Sequence, residues 1–351
     1  MKKIVFSLLG FNPGGLERVV SELATQWSKY SGVECHIITL TQNSSFYYIP
    51  DSVVIHKPDF DIKGFNKSHA VYKLFWYFRR EVKIIRPQIM ITFGGEFNAF
   101  FVLSCLGLKF YKYCCERARP GISYGRIQNL LNPYIYKIIS GVVVQTDMAK
   151  VHLAKITNQT NIAVIPNPIR HIKGSLNPSS KIILNVGRFT RTKNQNELIQ
   201  IFRRMNSVGW KLSFLGDGPY LEGLRKNNKS ENIIFHGNIK EIDKYYLDSS
   251  IFAFTSLSEG FPNALAEAMA AGCACISYDC VAGPSDMIDD EINGFLIPVG
   301  DEKQYKEKLQ LLMKNEELRS RFGAAAREKM KEFEASKIAK RFFEFIMGSL
   351  E

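Results

Sequence analysis

Two glutamates with seven residues between them, Glu259 and Glu267, lie in the stretch 252–272, FAFTSLSEGFPNALAEAMAAG. The stretch begins as an apolar strand, and Pro262 and Gly272 suit the start and the end of the helix that follows. The N–H groups of 261–264, at the start of this helix, are expected to be free and to favour an anion, and carboxylates accept hydrogen bonds from sugar hydroxyls. These properties together predict a nucleotide-sugar site, although either glutamate alone has the common alternative of a solvated surface position. The candidate donor-binding residues here are Gly260, Phe261, Pro262, Asn263, Ala264 and Glu267, and Glu259 is a candidate catalytic residue.

A basic loop follows the first predicted strand of the second half of the chain. Arg188 and Lys193 come after Gly187 in this loop, and Asn194 with Glu197 three residues later predicts a capping box. Two cations at the carboxyl end of a strand can neutralise a diphosphate, arginine as a fork and lysine as a point charge. We therefore predict a diphosphate site at Gly187, Arg188 and Lys193, with a solvated basic loop as the alternative.

The stretch 259–272, EGFPNALAEAMAAG, resembles the signature of the retaining glycosyltransferases of family four, which have the GT-B fold. The chain departs from the family at Cys273, where relatives usually carry proline, but this position lies outside the expected contacts. The resemblance covers nearly all of the second half strongly and the first half weakly.

The resemblance also implies roles for the charged residues. Arg188 and Lys193 are expected to hold the donor diphosphate, and these two cations would replace a metal ion. Glu259 is expected to orient the donor sugar, and Glu267 to hold the ribose hydroxyls. No side chain is a clear nucleophile, so the family implies attack from the same face, with a leaving-phosphate oxygen taking the proton of the acceptor.

Other strand ends resemble donor-binding loops of the family. Gly14 and Gly15 lie in a loop that resembles its N-terminal glycine loop, near the donor phosphates and the acceptor, although many tight turns look the same. Asp217 lies in a loop that is usually near the donor nucleotide, with a plain turn as an equal alternative. At Asn238 and Ile239, the backbone of relatives lies against the base.

Glu116 and Arg117 end a predicted strand of the first half. Some family members that transfer acetamido sugars carry a similar pair, and others carry a histidine that touches the donor sugar. Glu116 is therefore a candidate catalytic residue that accepts a hydrogen bond from the sugar or from an acceptor hydroxyl. A local Glu–Arg surface pair is an equal alternative, since such pairs are common and weak.

Strands alternate with helices along both halves, which predicts parallel sheets with covered faces. The predicted fold class is α/β, of the GT-B type, with two Rossmann-like doubly wound domains facing across a cleft. We predict an acceptor-side domain at 1–168 and a nucleotide-sugar-binding domain at 169–334, with a polar linker at 167–181. The helix in 335–351 is expected to cross back to the first domain.

Composition limits the class of protein and suggests its partners. The 351 residues have a net charge of +12, and residues 1–168 hold 20 Lys and Arg against 10 Asp and Glu. This basic half predicts an anionic partner: nucleic acid, anionic lipid or a phosphorylated acceptor. Seven cysteines without a metal-binding pattern suggest reduced thiols in a cytoplasm. The first eleven residues imitate a signal peptide, but the turn at Asn12 and Pro13 fits the end of a first strand better.

The predicted helix at 72–86 mixes large apolar and aromatic residues, six of them within 72–78, with five cations. This composition suits a helix that lies on an anionic membrane surface. The alternative is an aromatic stripe that faces the core, with a solvated basic side. With no apolar run near 20 residues, the membrane reading predicts a peripheral protein on the inner face of the plasma membrane.

The family resemblance, taken with these patterns, implies a retaining glycosyltransferase that needs no cofactor or metal ion. The expected donor is a nucleotide-diphosphate sugar, with UDP as the nucleotide and a hexose or acetamido-hexose as the sugar. The expected acceptor is a polyprenyl-linked glycan in surface polysaccharide synthesis. The alternatives are a GT-B sugar-nucleotide epimerase or hydrolase and a basic nucleic-acid-binding protein, although no nucleic-acid-binding motif is present.

Overall fold

The computed structural model describes residues 1–11, 14–170, 172–177 and 179–348. Asn12 and Pro13 of the predicted glycine loop lie outside the described residues, as do His171 and Pro178 of the predicted linker. The chain forms two compact units. Unit 1 comprises Met1–Pro168 and Ala335–Glu351, and unit 2 comprises Ile169–Glu334.

Both units alternate strands and helices in chain order. The strands of unit 1 are β1 Lys2–Leu8, β2 Val33–Thr39, β3 Val54–His56, β4 Ile89–Phe93, β5 Tyr111–Cys115, β6 Gly141–Val144 and β7 Ile162–Val164. Its helices before unit 2 are α1 Gly15–Trp27, α2 Lys67–Ile85, α3 Gly95–Ser104, α4 Arg126–Ile138 and α5 Asp147–Thr157. The strands of unit 2 are β8 Ile182–Val186, β9 Lys211–Leu215, β10 Ile233–Gly237, β11 Ile251–Phe254, β12 Ala274–Tyr278 and β13 Gly294–Ile297. Its helices are α6 Gln195–Arg203, α7 Leu221–Asn227, α8 Asp243–Leu247, α9 Asn263–Ala271, α10 Pro284–Met287, α11 Glu302–Lys314 and α12 Glu316–Met330, and α13 Ala335–Met347 returns to unit 1.

The sheet of unit 1 has seven parallel strands in the order β3-β2-β1-β4-β5-β6-β7. Its central strands are continuous apolar runs, as expected where helices cover both faces. Helices α1 and α13 pack on one face, and α2, α3, α4 and α5 pack on the other.

The sheet of unit 2 has six parallel strands in the order β10-β9-β8-β11-β12-β13. Strand order reverses beside β8, which is the position at which doubly wound sheets bind ligands outside their carboxyl ends. The prediction of two doubly wound α/β domains is confirmed.

One helix is shorter than the sequence suggests. The apolar periodicity predicts a helix over 194–208, but α6 ends at Arg203. The Met205 N–H donates to the Phe202 carbonyl at 3.2 Å, and a turn follows at 207–210, in which the Trp210 N–H donates to the Ser207 carbonyl at 2.9 Å and Gly209 adopts a φ of 77°. Few residues other than glycine tolerate this left-handed conformation, so the chain leaves the helix before this turn.

Helix α13 completes the core of unit 1. The Trp27 indole N–H of α1 donates to the Ala339 carbonyl at 2.9 Å, and the Trp27 ring meets the Phe342 ring edge-on at 5.6 Å between centroids. The Tyr113 hydroxyl of β5 donates to the Ile346 carbonyl at 3.1 Å. These bonds satisfy buried polar groups inside an apolar cluster, where an unpaired donor would be costly.

Candidate functional site

The loops that follow β8, β9 and β10 are bonded to one another. The Gly187 N–H donates to the Leu215 carbonyl at 3.0 Å, and the Gly216 N–H donates to the Gly237 carbonyl at 2.8 Å. The Asp217 carboxylate accepts from the next backbone N–H at 2.7 Å and is exposed. Backbone hydrogen bonds therefore hold together the loops at the carboxyl end of the sheet, and the basic loop is one of these loops.

We expect Gly216→Ala to disturb the contact between these loops. Gly216 has a φ of 130°, and a Cβ there would lie 2.9 Å from the Gly187 carbonyl carbon and closer still to its oxygen. Gly237 is a matched control, because its φ is 75° but nothing lies within 4 Å of an added Cβ. The free energy of unfolding should fall by about 3 kcal/mol in Gly216→Ala and by about 1 kcal/mol in Gly237→Ala. Thermal melts measure both, and equal melting temperatures would contradict the close approach of the two loops.

The two cations of the basic loop differ in their surroundings. Lys193 lies in a 3₁₀ turn, Arg191–Lys193, and its Nζ is 2.5 Å from Glu259 Oε1. The Glu259 side chain is only 10% exposed. Arg188 is exposed, and across the described ranges its guanidinium has no ion-pair partner. Thus Lys193 and Glu259, which are 66 residues apart, meet as one charged pair.

Backbone bonds place the two members of this pair. The Leu257 N–H donates to the Thr192 carbonyl at 2.8 Å, which joins the loop after β11 to the basic loop. The Glu259 N–H donates to the Val281 carbonyl at 3.3 Å. The pair therefore lies where the loops after β8, β11 and β12 meet.

The predicted capping box at α6 is wrong in its detail. Asn194 is the N-cap residue, but its φ of 53° is left-handed and its side chain caps no backbone N–H. Instead, its amide nitrogen donates to the Glu197 carboxylate. Asn194 and Glu197 are therefore joined by a bond between their side chains and do not form a capping box.

Helix α9 begins one residue later than predicted. Pro262 is its N-cap residue, and Asn263 is the first helical residue. Of the four predicted amides, Pro262 has no N–H to offer, and the Asn263 N–H donates to the Phe261 carbonyl at 3.0 Å. This corrects the prediction that all of 261–264 present free N–H groups. The helix ends as predicted, with Gly272 in the left-handed conformation at φ 90°.

Glu267 is buried within α9 and has a set of partners that the sequence did not reveal. The Tyr246 hydroxyl donates to Glu267 Oε2 at 3.1 Å, and Arg170 Nε lies 3.5 Å from Glu267 Oε1. Arg170 also pairs with Asp243. Burial raises the pKa of the Tyr246 hydroxyl well above its ordinary value, which keeps it a donor. Arg170 was missed because it lies in a polar stretch that reads as a linker.

Glu116 lies at the end of β5 and does not pair with Arg117. Its carboxylate accepts from the Tyr136 hydroxyl at 2.8 Å and from the Tyr124 hydroxyl, whereas Arg117 Nη1 donates to Asn167 Oδ1 at 2.8 Å. The predicted alternative of a local Glu–Arg pair is therefore wrong. Burial raises the pKa of the Glu116 carboxyl, and the two tyrosine hydroxyls act in the opposite direction.

A cavity of about 300 Å³ adjoins Glu116 within unit 1. The loop 118–124 and helices α4 and α5 enclose it, and its walls mix apolar and polar side chains. Asn132 in this wall is 6% exposed; its amide donates to the Gly95 carbonyl at 2.9 Å, but its Oδ1 accepts from none of the described groups. Such a wall offers hydrogen-bond acceptors to a ligand that carries hydroxyl or N–H groups.

The remaining candidate residues lie at the expected loops. Gly15 begins α1, with Gly14 as its N-cap residue. Asn238 is exposed after β10, and Ile239 packs against the apolar cluster around α9. The structure thus brings together Lys193, Glu259 and the α9 start within unit 2, while Glu116, Gly14 and Gly15 belong to unit 1.

Two negative results concern only the described ranges. No group of three or more His, Cys, Asp or Glu side chains is arranged to hold a metal ion. No helix among these residues has the length and apolar character needed to cross a bilayer.

Known structures resemble the whole chain. A sucrose-phosphate synthase from Thermosynechococcus elongatus superposes with a TM-score of 0.86 at 16% identity, covering 100% of this chain and 99% of that one. The Anabaena protein Alr3699/HepE, in complex with UDP and glucose, superposes with a TM-score of 0.79 at 12% identity, covering 99% and 100%. At these identities the likeness establishes the fold, which is GT-B.

Sequence comparisons find glycosyltransferases. Residues 168–329 match the family described as glycosyl transferases group 1. The chain is 28% identical to the amylovoran biosynthesis glycosyltransferase AmsD of Erwinia amylovora, covering 97% of this chain and 99% of that protein. It is 24% identical to a Campylobacter jejuni N-acetylgalactosaminyltransferase named for a diphospho-undecaprenol-linked acceptor, covering 99% and 98%. The chain is a glycosyltransferase with the GT-B fold, and most of its unit 2 matches the group 1 family.

Proposed function

We propose that this glycosyltransferase is a retaining enzyme that uses a nucleotide-diphosphate sugar, with UDP as the nucleotide. The transferred group is a hexose or an acetamido-hexose. The observation that carries the proposal is the Lys193–Glu259 pair, 2.5 Å apart, just before the start of α9. One edge of the sheet therefore holds a cation for phosphate, a carboxylate for sugar hydroxyls and the positive end of a helix dipole.

The proposed mechanism depends on stabilising the leaving group. Departure of a diphosphate from an anomeric carbon concentrates negative charge, and fixed donors aimed at that charge contribute most to catalysis in many enzymes. Arg188, Lys193 and the free amides at the start of α9 supply them, so the reaction needs no metal ion. Glu259 orients the sugar through its hydroxyls, and Glu267 holds the ribose. A leaving-phosphate oxygen takes the acceptor proton as the new bond forms on the same face.

The proposed acceptor is a polyprenyl-linked glycan in surface polysaccharide synthesis. Two relatives support it by name, one from amylovoran biosynthesis and one with an undecaprenol-linked acceptor. The cavity beside Glu116 is a candidate site for the acceptor or the transferred sugar, because Glu116 and Asn132 Oδ1 supply acceptors for hydroxyl groups. A lipid-linked acceptor implies work at the inner face of the plasma membrane, where the excess cations of residues 1–168 favour anionic lipid.

A panel of nucleotide sugars, read by release of nucleoside diphosphate, tests this function. We expect one UDP-sugar to be turned over, and the rate to be the same in excess EDTA as in magnesium, because cationic side chains replace a metal. Complete loss in EDTA, restored by magnesium or manganese, would contradict the metal-free site. Release without glycosyl transfer to any lipid-linked glycan would favour a hydrolase, and conversion of the sugar without release would favour an epimerase.

A further inference from the structure

Helix α4 carries a line of exposed apolar side chains along its outer side. Ile127, Leu130, Tyr134 and Ile138 follow one another at intervals of three or four residues and are 61–69% exposed. Residues at these intervals lie on one side of a helix. The opposite side packs into the core through Ile135 and neighbouring residues. This apolar line is therefore a surface feature and not a part of the core.

Helix α5, which packs against α4, also exposes apolar side chains. Met148, Val151 and Ile156 are 49–69% exposed, and α4 and α5 pack over one face of the sheet in a common apolar cluster. Exposed apolar residues that occur singly need no explanation, but a concentration of them on two helices that pack together indicates an interaction site. We call this patch the α4–α5 face, and its members are Ile127, Leu130, Tyr134, Ile138, Met148, Val151 and Ile156.

The charges around the α4–α5 face are mostly positive. Residues 126–157 contain four Lys and Arg against one acid, Asp147, and all five side chains are exposed. The cations are Arg126, Lys137, Lys150 and Lys155. An apolar band edged by cations suits an anionic lipid surface, in which rings and aliphatic chains enter the interface and cations meet the headgroups. A second copy of this chain suits it less, because a two-fold contact would bring the same cations against each other.

Helix α2, the helix expected from the sequence to meet the membrane, fits less well. Two of its five aromatic residues, Tyr77 and Phe78, are buried in the core. Arg79 donates to the carbonyls of Ser104 and Leu106, and Arg80 pairs with Glu81. Several of the cations that motivated the expectation therefore have partners within the protein.

We propose that the α4–α5 face is the surface by which the protein lies on an anionic membrane. This inference rests on the proposed lipid-linked acceptor and names the part of the chain that meets the lipid. Ile156 belongs both to this face and to the wall of the cavity beside Glu116. Docking through α4 and α5 therefore places that cavity in the interfacial layer, where the glycan of a lipid-linked acceptor begins.

Flotation of the full chain with phosphatidylglycerol vesicles at low salt tests the proposal. A triple variant, Ile127→Gln, Leu130→Gln and Tyr134→Gln, should bind roughly 100-fold more weakly, because three apolar side chains no longer leave water. The matched control carries Tyr72→Gln, Trp76→Gln and Ile84→Gln on α2, three side chains that are 51–65% exposed. It should bind within about twofold of the unmodified protein, and thermal melts of both variants confirm that they fold.

A charge variant gives an independent measurement on the same face. Replacing Lys137, Lys150 and Lys155 with Gln should weaken binding roughly 100-fold at low salt, with the difference fading as salt rises. The unmodified protein should bind phosphatidylcholine vesicles poorly.

Several outcomes would overturn the proposal. They are absence of flotation by the unmodified protein, unchanged flotation of the α4 variant, or loss confined to the α2 variant. A dimer that the α4 variant converts to a monomer, seen by sedimentation equilibrium, would assign the face to a second copy. Release of nucleoside diphosphate from the soluble donor is measured in the same samples. Activity without flotation rejects the membrane face alone, whereas flotation with no activity toward any nucleotide sugar rejects the proposed function alone.

Discussion

Lys193→Ala is expected to lower turnover by roughly two to three orders of magnitude, the loss seen when a charge-stabilising donor is removed from a transition state. The effect should be large because the change also leaves Glu259, whose side chain is 10% exposed, without the ammonium group 2.5 Å away. An unpaired carboxylate at that position would repel the diphosphate that forms. Single-turnover release of nucleoside diphosphate from saturating donor measures the chemical step.

Arg188→Ala should lower turnover by a similar factor, because it removes the second cation. Arg191 offers a matched control, since it is an exposed arginine in the same loop, and Arg191→Ala should stay within about twofold of the unmodified rate. Near-normal turnover in both Lys193→Ala and Arg188→Ala would remove the diphosphate assignment. Equal losses in all three variants would point to general disturbance of the loop.

Glu267→Gln is expected to weaken binding of free nucleoside diphosphate by roughly 10- to 100-fold. This range corresponds to the free energy that hydrogen bonds to a charged group contribute. Glutamine preserves the size of the side chain and can still accept from the Tyr246 hydroxyl, 3.1 Å from Oε2. The substitution therefore removes the charge of the side chain, which also faces Arg170 Nε at 3.5 Å, and keeps its size and its bond to Tyr246. Calorimetric titration with nucleoside diphosphate measures it, and Glu222→Gln, an exposed carboxylate on α7, is the control.

Glu259→Ala should behave in the opposite way. Affinity for free nucleoside diphosphate should be unchanged or rise a few-fold, because Lys193 no longer shares its charge with a carboxylate. Turnover of the complete donor should nevertheless be lost, since the sugar hydroxyls have no acceptor. If Glu259→Ala and Glu267→Gln lose the same affinity for nucleotide and for the complete donor, the proposed division of roles is wrong.

The fold was predictable because each strand and helix end carries a local signal. Strand β4, Ile89–Phe93, is buried at every position and is apolar almost throughout, as parallel strands are. Gly272 marks the end of α9 because few other residues take its left-handed backbone. Such signals lie within a few residues of the feature that they predict, so no knowledge of distant contacts was needed.

The partners of the candidate residues could not be predicted, because they come from distant parts of the chain. Glu267 pairs with Arg170, which is 97 positions earlier in a polar stretch that reads as a linker. Glu116 accepts hydrogen bonds from Tyr124 and Tyr136 and does not pair with its neighbour Arg117. Only the folded loop and α4 bring those two hydroxyls close to it. Types and spacing indicated which groups carry charge, but tertiary packing decides which groups meet.

The return of α13 to unit 1 has a consequence for how the protein is made. The pocket that α13 fills, around the Trp27 indole and the Tyr113 hydroxyl, belongs to elements synthesised before unit 2. A ribosome that adds 5–20 residues per second needs on the order of 10 to 30 s to translate the intervening Ile169–Glu334 segment. Throughout that interval the nascent sheet exposes this apolar pocket to the surrounding solution. Until α13 emerges, the pocket is a surface that chaperones can bind.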